Sequence, residues 1–120
     1  MSEIEEARKF VSSLIFNVLT EKITVRKALS LFPGNVNDKS INCAWHALLH
    51  YEADEDYRLK NPDFLSVQTD SLEMIAFTLQ EGKVLPKNII SDYYKYYEMA
   101  PIAKPKGFKG ILQAILRFTI

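Results

Sequence analysis

Cys43, His46, His50 and Asp54 recur at spacings of three, four and four residues. On a helix, which turns about 100° per residue, this spacing lines up a thiol, two imidazoles and a carboxylate on one face. The chemistry it would allow is metal binding, because two imidazoles one turn apart can grip a single ion with Cys43 or Asp54 as a third ligand. Two features weigh against it: no Glu lies between the histidines as in the zinc-protease pattern, and the chain has no other His from which a second helix could complete the coordination. The competing reading is that Ala, Cys, Leu and Trp spread around this helix mark the central helix of a bundle. His46 and His50 would then be hydrogen-bonded to neighbours or lie at its rim. The balance favours packing, and no metal or other cofactor is expected.

Ile41, Ala44, Trp45, Leu48 and Leu59 form an apolar stripe on the opposite face, and Glu52 falls within it. A carboxyl buried there would have a raised pKa, which would make Glu52, with His50, a candidate general acid or base. An ion pair with Arg26, Lys27 or Arg58 accounts for the same placement and is favoured, since catalysis also needs a cleft and a second positioned group. The run Glu52-Ala53-Asp54-Glu55-Asp56 lacks the Asp-x-Asp-x-Asp-Gly loop of a helix-loop-helix calcium site and reads as a solvated acidic helix end.

Four of the six tyrosines lie in Tyr93-Tyr94-Lys95-Tyr96-Tyr97. Tyr93 and Tyr97 share a helical face with the nearby Ile89 and Ile90 and are expected in the core, whereas Tyr94 and Tyr96 diverge from it and are candidate partner contacts. Beyond Glu98 there is no acidic residue, while Lys104, Lys106, Lys109 and Arg117 give residues 99 to 120 four positive charges. Those four residues are further candidates for partner binding. Phe108, Ile111, Leu112, Ile115 and Leu116 would supply the apolar stripe of a last helix, which suits closing its own bundle better than docking elsewhere.

The elements that must position these groups follow from periodicity and punctuation. Ile4, Ala7, Val11, Leu14, Ile15 and Val18 predict a first helix over residues 3 to 20. Thr24 is the expected N-cap of a short second helix ended by Pro33-Gly34, and a third helix is expected from about Asp38 to Leu59, stopped by Asn61-Pro62. Asp70 with Glu73 resembles a capping box opening a fourth helix that ends at Gly82. Pro86 fits the first turn of a fifth, which Pro101 closes. Residues 100 to 107, rich in Pro, Lys and Gly, would let the last helix hinge. No stretch shows period-two alternation, so the expected class is all-α: a compact single-domain bundle of five to six helices over residues 1 to 120, joined by short loops.

The chain's 120 residues, 48% hydrophobic and 25% charged, fit one globular domain with a real core rather than a disordered or low-complexity segment. Fifteen basic residues balance fifteen acidic ones, which argues against a protein that coats nucleic acid and against a membrane-surface role for the whole chain. The acidic opening lacks a secretory signal, and one Cys suits a reducing compartment, so the expected location is the cytoplasm. No phosphate loop, nucleophile elbow or Cys-x-x-Cys is present, and no small-molecule substrate suggests itself. The leading expectation is therefore an α-helical protein-interaction module, binding a partner protein or itself. A metal-dependent or acid/base enzyme centred on His46, His50, Glu52 and Asp54 is the alternative, and membrane or nucleic-acid contact through the basic tail is a weaker one.

Overall fold

A computed structural model describes residues 2–34 and 36–99, with side chains as far as Tyr93. The helix α1 (Glu3–Leu19) opens with a capping box: the Glu5 N–H donates to Ser2 Oγ at 3.1 Å, and the Glu5 carboxylate accepts from the Ser2 backbone. The acidic residues Glu3, Glu5 and Glu6 suit the positive end of the helix dipole. The short α2 (Val25–Ser30) is capped by Thr24, whose hydroxyl accepts from Lys27 N at 3.1 Å. Asp38 caps α3 (Lys39–Ala53) by accepting from Ile41 N. There follow α4 (Glu55–Lys60), α5 (Pro62–Gln80) and α6 (Lys87–Met99), and among the described residues there is no strand. The described residues form an all-α single domain of six helices. No helix of the described residues is long and apolar enough to cross a membrane.

Helix α3 is central, with α1, α2, α5 and α6 all packed on it. Cys43 through His50 are buried without a break, including Ala44, Leu48 and Leu49, which solvent does not reach. Burying a leucine side chain contributes roughly 1.5–3 kcal/mol, so this helix supplies much of the apolar driving force. Trp45 packs edge-to-face on Phe32 with centroids 5.4 Å apart, which fixes α2 and the loop after it against α3. The most extensive pair is α1 on α5, where Val11, Leu14, Ile15 and Val18 meet Leu72, Ile75, Ala76 and Leu79. Polar ties cross the same core. The buried Ser12 hydroxyl donates to Ala76 O at 2.7 Å, and Ser40 Oγ accepts from Leu85 N at 2.8 Å.

Arg8 joins three helices. Its Nε and Nη2 donate to both oxygens of Asp38 at 3.1 and 2.8 Å, and its Nη1 donates to Gly82 O at 2.9 Å. Gly82 supplies the left-handed residue after α5 with φ +75°, and a Cβ there would stand 3.4 Å from that of Glu5.

Two expectations about the middle of the chain are corrected. The third helix does not run to residue 59 but breaks at Asp54, and Leu59 is 77% exposed on α4 rather than in the core stripe. The fourth helix does not start at Asp70. Pro62 occupies the first turn of α5, where its missing N–H leaves no hydrogen bond unmade, so the residue that ends α4 also begins α5. Asp70 and Glu73 then lie within the helix, not at its cap. The hinge at 100–107, Pro101 and the stripe from Phe108 to Ile120 lie outside the described residues.

The Arg8–Asp38 pair, each side chain only about one-eighth exposed, is a bidentate charge-assisted contact. Arg8→Ala should lower unfolding free energy by about 2 kcal/mol, the scale of a hydrogen bond to a charged group. Lys83→Ala, which removes the well-exposed pair with Glu81, should leave the urea midpoint unchanged.

Candidate functional site

The polar stripe of α3 faces α6. Cys43 lies at one end, its Sγ 3.8 Å from Ile89 O, and His50 stacks at a tilt on Tyr93 with ring centroids 5.9 Å apart. Beyond His50 the stripe opens into a cleft of about 370 Å³ between α3, α5 and α6. His50 and Asp54 come from α3, Phe64, Val67, Gln68 and Ser71 from α5, and Asp92 and Tyr93 from α6. The spacing of 64, 67, 68 and 71 is the reason one face of α5 can line it.

Burial sets the electrostatics. His50 is 7% exposed, and desolvation pulls its pKa below the ordinary 6.5 more strongly than the Asp54 carboxylate lifts it, so the ring is neutral near pH 7. Tyr93 is held above its ordinary value by burial, while a hydrogen bond with Ser71 pulls the other way. Cys43 is pushed up to about 12, first by desolvation and then by the charge of Asp92. A thiol so stabilised against ionisation is a poor nucleophile, since the thiolate is the reactive form.

Arg58 braces the cleft from behind. It is 8% exposed, lies over the Tyr51 ring at 3.6 Å from the centroid, and donates to Tyr51 O and, at 2.9 Å, to Gln68 Oε1. Gln68 in turn donates from Nε2 to Asp54 Oδ2 at 3.1 Å. This relay orders Gln68 and Asp54 at the cleft wall and commits the guanidinium to α3 and α5.

The structure therefore brings His50 and Asp54 to one site and leaves the other candidates elsewhere. His46 is 1% exposed, inside the core. Glu52 is half-buried and does not line the cleft, and Arg58, expected as a partner for it, binds Tyr51 and Gln68 instead. Among the described residues no three His, Cys, Asp or Glu groups come together as a metal-holding set. Tyr93 is half-buried beside the core, whereas the side chains of Tyr94, Tyr96 and Tyr97, together with Lys104, Lys106, Lys109 and Arg117, lie outside the described residues. Sequence reasoning missed Phe64, Val67, Gln68, Ser71 and Asp92. The signal for the α5 residues was the helical spacing of 64, 67, 68 and 71, hidden once Pro62 was read only as a stop.

Two measurements follow from the burial. Cys43 in the native protein should react with a thiol reagent far more slowly than the single thiol released in denaturant, and equal rates would contradict its burial. For His50 the unfolded chain takes up a proton at a pH where the folded form does not. The stability this ring contributes is full above about pH 6.5 and is lost as pH falls toward its lowered pKa. Urea midpoints of wild type should decline from about pH 7 to pH 5 more steeply than those of His50→Gln. Identical slopes would assign the proton linkage to another group.

Compared with protein families, curated protein sequences and solved structures, the chain matches none of them.

Proposed function

We propose that this domain is a protein-interaction module whose docking face is the corner between α4 and α5 together with the adjoining cleft. The observation that carries the reading is the apolar surface around Asn61-Pro62. Tyr57, Leu59, Leu65 and Val67 are all exposed on the two helices that meet there, Leu59 by 77% and Val67 by 66%, and Tyr57 and Val67 lie on either side of Phe64. Tyr57 packs edge-to-face on Phe64 with centroids 4.7 Å apart, and Phe64 and Val67 continue into the cleft wall. An apolar ledge running into a partly polar recess is the anatomy of an anchor site with a polar rim. Glu55 and Asp56 in the first turn of α4 add negative charge beside it, in the acidic helix end that the sequence singled out. The reading keeps the cytoplasm as its compartment, supported by one free, buried thiol.

The test compares three immobilised forms of the full chain. Proteins retained from an extract by wild type should also be retained by Val84→Lys, which alters an equally exposed apolar residue between α5 and α6. They should be lost by at least tenfold from the Leu59→Lys, Val67→Lys double variant, since removing central apolar contacts typically costs more than 1 kcal/mol each. Both changes lie at exposed positions, so circular dichroism should be unaltered. Retention of the same proteins by the double variant would refute the docking face, as would no retention by any form.

A further inference from the structure

We infer that the cleft between α3, α5 and α6 is the subsite for a cationic side chain, lysine or arginine, of the docked partner. This rests on the docking reading above and names the chemistry of what docks. Asp54 and Asp92 face the cleft from opposite helices, and among the described residues neither has a Lys or Arg within ion-pair distance. Arg58, one buried cation near this wall, is already committed to Tyr51 and Gln68. The remaining walls suit an alkylammonium or guanidinium group as well. Phe64 and Tyr93 offer aromatic surface for a cation to pack against, Ser71 offers a hydroxyl oxygen, and Val67 at the rim can cover an aliphatic stem. His50, buried and uncharged, forms part of the wall without repelling a positive ligand. An anionic ligand would meet two carboxylates and no Lys or Arg among the lining residues, and a purely apolar one would strip water from both carboxylates without replacing it. Charge complementarity thus selects a basic partner residue, seated in the cleft while apolar neighbours rest on Tyr57 and Leu59.

The chain has two histidines, so their Hε1 protons give two lines in a proton NMR spectrum, assigned with His50→Gln. The probes are acetyl-lysine amide, acetyl-arginine amide and the neutral acetyl-leucine amide, titrated into the full chain at low salt. The lysine or arginine probe should shift the His50 line saturably and lower its pKa further, because a second positive charge disfavours the imidazolium, while the His46 line stays put. Asp92→Asn, at an exposed position, should weaken binding by about two- to fivefold, the range for a partly solvated charge pair, and Asp54→Asn should do the same. Raising salt should weaken it too. No saturable shift, an equal response to the leucine probe, or undiminished binding by both Asn variants overturns the inference. So does a His50 line that moves in the probe-free chain when Lys104, Lys106 and Lys109 are changed to Gln, because the chain's own cations would then be the occupant. Loss of this binding with retention still dependent on Leu59 and Val67 removes only the cation subsite. Intact probe binding without such retention removes only the docking face.

Discussion

The arrangement of the helices depends on one guanidinium. Arg8 belongs to α1, its carboxylate partner Asp38 is the N-cap of α3, and its third acceptor, Gly82 O, closes α5. Apolar packing alone leaves helices free to slide by a turn at modest cost, whereas a forked cation aimed at a carboxylate and a carbonyl is satisfied in one register. Asp38 is doubly used, since the oxygen that takes Arg8 Nε also accepts from Ile41 N. The start of α3 and the end of α5 are thereby set against the same turn of α1. The cleft lies at the other end of α3 and along the first half of α5, well away from this contact.

The cleft shows how a helix can be central and still carry polar groups. Helix α3 buries its apolar residues against α1, α2 and α5, and its stripe of Cys43, His50 and Asp54 is turned to α6. Desolvation keeps the first two uncharged, and Asp54, nearer the opening, is held by Gln68.

How much of this was legible in the sequence varied with the kind of signal. Helix α1, the Thr24 cap, the left-handed Gly82 and the central place of the Cys43–His50 segment were readable, because capping and 3.6-residue periodicity are local. Pro62 misled because proline both stops a helix and starts one, and the polar first half of α5, with Asp63, Ser66 and Thr69, has too weak a stripe to settle which. Leu59 was placed in the core by extrapolating the α3 wheel through a break at Asp54 that shifts every later residue. The Arg8–Asp38 contact spans thirty positions, and the wall formed by His50, Ser71, Asp92 and Tyr93 joins three helices. Pairings at such distance are set by tertiary packing, which one sequence read alone does not encode in its spacing.

The pairing of α1 with α5 has a consequence for biosynthesis. Ser12 and Ala76, which bond across that interface, are sixty-four positions apart in the chain. At ribosomal rates of about 5–20 residues per second, α1 leaves synthesis roughly 3–13 s before its main packing partner exists. During that interval the apolar face of Val11, Leu14, Ile15 and Val18 has only α2 and α3 to cover it. The nascent domain completes its core only when the second half of α5 arrives.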